Sequence, residues 1–130
     1  MKKCCFVGSN DIHDKDELFA MLVGRIENVI ENGDVGEFWV EDCNCFDEIC
    51  ISALRHVKEK NKQVRICLIV PKTDEMKKCM GDYDDVIVAD VSDDNQTEQI
   101  CAFVDRQTDF SIVYVRTPER GEVVIIRNHK

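Results

Sequence analysis

A run of side chains with chemical potential stands at residues 41–47, Glu41-Asp42-Cys43-Asn44-Cys45-Phe46-Asp47. Two carboxylates, a Cys-x-Cys pair and a third carboxylate sit where a strand gives way to a helix. Cys43 and Cys45 could ligate a soft metal. A zinc site, however, commonly needs four ligands, with two to four residues between paired cysteines. His13, His56 and His129 show no such spacing with them, so no metal is expected. A helix N-terminus can lower a thiol pKa, which keeps a redox role open. Asp47 falls in the first turn of its helix, where exposed N–H groups and the dipole favour a carboxylate. That structural role is favoured over catalysis. No Ser-His-Asp or Cys-His arrangement follows from spacing.

A second candidate lies at the start, in MKKCCFVGSN. Cys4 to Val7 form an apolar run that meets Gly8-Ser9-Asn10. Glycine lets backbone approach a ligand closely, but Gly8 equally suits a tight turn. Ser9 and Asn10 can hydrogen-bond a ribose or a base, and both types also favour turns through local backbone bonds. Arg116 and Arg120 could meet a phosphate from the far side of a cleft.

The elements that must position these residues follow from hydrophobic periodicity. Strands are expected at 3–7, 37–40, 64–70, 85–89, 111–115 and 122–126. Helices are expected at 16–32, 46–59, 73–80 and 97–107, with Asp14 or Asp16 capping the first and Asn32-Gly33 stopping it. Strand-helix alternation implies a mostly parallel sheet covered on both faces. Continuous apolar strands such as RICLIV agree. The last connection is too short for a crossover helix, so the sixth strand should run antiparallel at one edge. The fold class is therefore α/β, a Rossmann-like three-layer sandwich in one domain over residues 1–130. In such sheets ligands bind beyond the carboxyl ends of the strands. That rule names Gly8 to Asn10, Glu41 to Cys45, Pro71 to Thr73, Asp90 to Ser92 and Arg116 to Gly121; with Asp47 in the helix that follows, the ligand-binding candidates are Gly8, Ser9, Asn10, Asp42, Cys43, Asp47, Pro71, Thr73 and Arg116, with no catalytic residue.

Composition narrows the partners. A formal charge of −9 with no basic cluster beyond Lys2-Lys3 or Lys77-Lys78 argues against a nucleic-acid polymer. No apolar run approaches the roughly 18 residues of a membrane span, and no signal peptide is apparent. The eight cysteines fall largely in strand and helix patterns, where free cysteine fills cores as a small hydrophobe. A reducing cytoplasm is the simpler setting. The edge strand at 122–126 offers a surface for pairing with a second copy.

CCFVGSN resembles the Cys-Cys-Phe-Thr-Gly-His-Arg opening of small bacterial YpsA-like proteins in the SLOG superfamily, which also contains the Lonely Guy phosphoribohydrolases and the Smf/DprA proteins. The likeness continues through FWVEDCNCFDEICISAL, where Phe46 and Asp47 match a Phe-Asp, and RICLIVP, which ends in Pro71. It covers residues 1–71. It implies a Rossmann-like fold with a pocket for nucleotides or their derivatives. The departures are specific. Ser9 and Asn10 replace His and Arg. Glu41 to Cys45 replace the glycines before Phe-Asp, and Ser52 stands where many relatives have a glutamate. The phosphoribohydrolase motif Pro-Gly-Gly-x-Gly-Thr-x-x-Glu is absent. Lost glycines narrow a phosphate's approach, and Glu41 and Asp42 repel it. The expectation is a SLOG-type module that binds a nucleotide-like small molecule without catalysis or a bound cofactor. The alternatives are a degenerate, closed-pocket interaction domain and, behind it, a nucleotide N-glycosidic bond hydrolase. On this reading Gly8→Val weakens ligand binding while the fold persists.

Overall fold

A computed structural model describes residues 1–71, 83–89 and 96–128. The expected helix at 73–80, with Thr73, and the acidic stretch 90–94 lie outside the described residues. Within them the chain runs β1 (Lys2–Val7), α1 (Lys15–Gly33), β2 (Val35–Val40), α2 (Cys45–Lys58), β3 (Arg65–Pro71), β4 (Asp85–Ala89), α3 (Gln96–Gln107), β5 (Phe110–Arg116) and β6 (Gly121–Arg127).

The strands form a six-stranded sheet in the order β4-β3-β2-β1-β5-β6. All neighbours are parallel except β5 and β6, which pair antiparallel. The fold is thus the expected Rossmann-like α/β sandwich. Successive strands add outward from β1 to β4, and the chain then returns to place β5 on the other side of β1. The strand order reverses at the β1–β5 boundary, where such sheets open a crevice.

Strand alternation divides the side chains between two layers. Cys4, Phe38, Ile66, Ile112, Tyr114 and Val123 join a core with α1 and α2. Cys5, Trp39, Cys67, Ile69 and Ala89 face the other way and pack against Ile100 and Val104 of α3. Leu18, Leu22, Ile26 and Val29 give α1 its buried stripe at helical spacing. The Asp14 side chain caps α1 by accepting from the Glu17 N–H at 3.1 Å. The helix stops one residue later than Asn32-Gly33 indicates. Asp34 takes the left-handed conformation, φ 56°, and its N–H bonds the Val29 carbonyl. A short polar side chain tolerates that region, which is why Asp can replace the more usual glycine.

The α3 face is incompletely covered among the described residues. Val7, Val115, Val124 and Ile126 are each 38–47% exposed, and Val7, Val113 and Val124 lie in one row across β1, β5 and β6. No described helix is long and apolar enough to cross a membrane.

Candidate functional site

The first turn of α2 contains the backbone amides that an anion would seek. The chain's own side chains already hold two of them, at Cys45 and Asp47, and also the Cys43 amide just before the helix. Asn44 caps the helix, accepting from the Asp47 N–H at 3.0 Å. The Asp47 carboxylate accepts from the Cys43 N–H at 3.0 Å. Asn10 reaches from the β1–α1 loop and accepts from the Cys45 N–H at 2.9 Å. Three donors are satisfied, one by a carboxylate standing where a phosphate oxygen would stand.

The crevice beside this turn is filled as well. The Phe46 ring lies against Gly8, where an added Cβ would come within 2.6 Å of two ring carbons. On its other side Phe46 stacks on Tyr114, with centroids 6.1 Å apart and planes inclined by 18°. Tyr114 covers Gly121 in turn, where a Cβ would fall 2.4 Å from a ring carbon. The Tyr114 hydroxyl accepts from the His13 N–H at 3.0 Å, tying the β1–α1 loop to β5. Two glycines thus bracket a two-ring stack that plugs the switch point on the α1–α2 side. Gly8 has no positive φ, so its missing side chain serves the Phe46 contact rather than a special backbone angle.

An open cavity remains beside the plug. It has a volume of about 170 Å³ and lies over the carboxyl ends of β1 and β2, between α3 and the start of α2. Cys5, Val7, Trp39 and Val40 contribute from the sheet, Ile100 and Val104 from α3, and Asp47 and Cys50 from α2. Glu41 and Asp105 bring further carboxylates, and no lysine or arginine lines it among the described residues. Trp39 is held there by its indole N–H, which donates to Glu37 at 2.6 Å, and by stacking on Phe103 with centroids 6.0 Å apart.

Burial sets the protonation of this site. It pushes the Glu41 carboxyl above its ordinary value, and the Asp47 charge adds to the effect. Asp47 is also raised by burial. Hydrogen bonds from the Cys43 and Asn44 backbone oppose that shift, while the Asp42 and Glu48 charges reinforce it. Burial raises the Cys50 thiol strongly, with Asp47 adding to it. Cys101 is raised by burial and by the Glu41 and Asp105 charges. The Cys50 and Cys101 thiols are therefore held as neutral thiols, poor nucleophiles and poor metal ligands. No group of three or more His, Cys, Asp or Glu side chains with metal-binding geometry occurs among the described residues.

The residues singled out from sequence divide into groups. Gly8, Asn10, Cys43 and Asp47 gather around the α2 N-terminus, engaged with one another's neighbours as above. Asp42 accepts from the Tyr83 hydroxyl at 3.3 Å. Ser9 accepts from the Asp11 N–H at 3.4 Å, a local turn contact. Arg116 points toward the same loop, with its Nε 4.0 Å from Asp11 and an N–H donated to the Arg120 carbonyl at 3.4 Å. Pro71 ends β3 opposite Ala89. Of these candidates only Asp47 lines the cavity. Glu41, part of the 41–45 stretch singled out from sequence, lines it as well, and Trp39 and the α3 residues line it without having been candidates. The signal for two of them was strand parity. Cys5 and Val7, like Trp39 and Glu41, alternate onto one face.

The chain matches no protein-family model and no curated protein. The site therefore rests on its own geometry.

Proposed function

We propose that this protein is a binding module for a nucleotide-derived small molecule, of the kind the SLOG resemblance implies, and that it carries out no catalysis. The observation that carries this reading is the cavity over β1 and β2. Its volume of about 170 Å³ is close to the roughly 150 Å³ that takes up a benzene ring in an apolar interior. It is well below the ~300–1,000 Å³ of pockets that enclose a drug-sized ligand. One ring fits inside, and the remainder of the ligand lies toward solvent. Trp39 supplies an aromatic wall, and Glu41 supplies a polar group that fixes orientation. An N-glycosidase would need a phosphate cradle beside a placed carboxylate. The α2 amides that would form such a cradle are bonded to Asn10, Asn44 and Asp47.

The exposed strip of Val7, Val115, Val124 and Ile126 favours a second reading, a protein-interaction unit. β6 pairs only with β5 among the described residues, which leaves an edge for a second copy. Antiparallel pairing of two β6 strands about Ile125 would set Val124 of one opposite Ile126 of the other, joining the two strips.

A thermal-shift screen of the reduced protein against nucleobases, nucleosides and nucleotides separates the two readings. A ligand at 100 times its dissociation constant adds about 2.7 kcal/mol, a rise of several degrees for a domain of this size. Such a rise is the expected result. A flat response across all three classes would overturn the binding reading in favour of the interaction unit.

A further inference from the structure

The chemistry of the cavity is more selective than "nucleotide-derived", and the following inference rests on the binding reading above. We propose that the occupant is a single-ring amino-heterocycle of the aminopyrimidine type, taken as the base or nucleoside without a phosphate, with Glu41 reading its exocyclic amine.

Three independent observations converge on that class. The first is size. A cavity of about 170 Å³ accommodates one six-membered ring with its substituents, and Trp39 contributes to its wall. The second is charge. Glu41, Asp47 and Asp105 line the cavity, with no cation beside them among the described residues. A phosphate brought to this mouth meets carboxylates. It also finds the nearest helix amides bonded to Asn10, Asn44 and Asp47. Admitting it would require breaking those bonds and bringing like charges to short range.

The third is hydrogen-bond availability. Asp47 is committed to the Cys43 N–H. Glu41 makes no hydrogen bond among the described residues, although it is partly buried at the cavity wall. Its oxygens reach solvent in the free protein, and a donor on the ligand can take the place of the water that serves them. An amine next to a ring nitrogen is such a donor, because carboxylates accept from the cytosine 4-amino group in the same way. Uracil presents a carbonyl oxygen where cytosine has the amine. Against an ionised Glu41, that places acceptor against acceptor.

The test is calorimetric titration of the intact reduced protein with cytidine, uridine and cytidine 5′-monophosphate, repeated on Glu41→Gln. Cytidine and uridine match in ring size, so their ratio isolates the amine. Cytidine and its monophosphate isolate the phosphate. The expected result is cytidine binding about tenfold or more tighter than uridine, as a charge-assisted hydrogen bond implies, and tighter than the monophosphate. Glu41→Gln should collapse the cytidine–uridine ratio toward one, because a glutamine amide can both accept and donate. Equal affinity for cytidine and uridine, or tighter binding of the monophosphate, overturns this inference and leaves the binding module standing. Absence of heat and of competition with every nucleobase, nucleoside and nucleotide of the thermal screen overturns both.

Discussion

Gly8→Val is expected to lower the stability of the ligand-free protein by about 3 kcal/mol, the upper part of the usual overpacking range. Even the first carbon of the new side chain would lie 2.6 Å from two Phe46 ring carbons and 2.8 Å from a third. Phe46 has no room to retreat. It is 1% exposed and backed by Tyr114. Removing glycine also restricts the unfolded chain, a gain of about 0.4–1 kcal/mol, which is too small to offset the clash. The transition temperature should fall by roughly 10 °C. The folded protein survives if its total stability lies in the ordinary range of about 5–15 kcal/mol. Its loss is visible before any ligand is added, so a role confined to ligand contact is distinguishable. An unchanged melting curve would contradict the packing of Phe46 on Gly8.

Phe46→Ala should cost about 3–5 kcal/mol, the range for removing a fully buried phenylalanine. The ring is common to three contacts, Gly8 beneath it, Tyr114 beside it and the α1–α2 core around it. The two positions should also be coupled. Once the ring is gone, a side chain at residue 8 has space, and Gly8→Val in the Phe46→Ala background should cost much less than it does alone. Chemical denaturation of the four proteins in a double-mutant cycle measures this coupling, expected at 0.5–3 kcal/mol for residues in contact. Strict additivity would mean that Gly8 and Phe46 do not share the strain assigned to them.

Much of the architecture was legible because it rests on local pattern. Residues 66–70 of β3 are apolar throughout, since both faces of the strand are covered, by α2's core on one side and by α3's on the other. The short link after β5 announced an antiparallel partner, and the turn is closed by the Thr117 N–H donating to the Arg120 carbonyl at 2.8 Å. Element ends were less legible. β2 starts at Val35, two residues before the expected strand, since Gly36 has low strand propensity and sits at the irregularity where the register steps from Val35 opposite Lys2 to Glu37 opposite Lys3.

The site was legible only in outline. The topological rule pointed to the end of the sheet where the cavity lies, and the segment that lacks the glycines is the one whose amides bond Asn10, Asn44 and Asp47. Which groups fill that cradle was not readable, because Asn10 and Cys45 are 35 residues apart in sequence and meet only when β1 and β2 pair. The glycine at position 8 matched a ligand-approach signature and a tight turn equally well, and its close contact with Phe46 is a packing requirement that no local pattern carries. The cavity is still further from local pattern. Its outer wall is α3, whose Ile100, Cys101, Val104 and Asp105 carry no motif and reach the site through the return crossover from β4 to β5. Trp39 reads as core from sequence, and it is core, 4% exposed. Its second role as a cavity wall depends on what α3 leaves uncovered.

Trp39 also makes the central claim directly measurable, because it is the chain's single tryptophan and it lines the cavity. Its emission should be titrated in the reduced protein with cytidine, using uridine and cytidine 5′-monophosphate for comparison. A ring seated in the cavity lies against the indole and must change its emission with a saturable, hyperbolic dependence on ligand. That is the predicted result, with cytidine saturating at the lowest concentration. Emission that stays constant with every one of these ligands, after correction for their absorbance, would contradict a base-binding cavity beside Trp39.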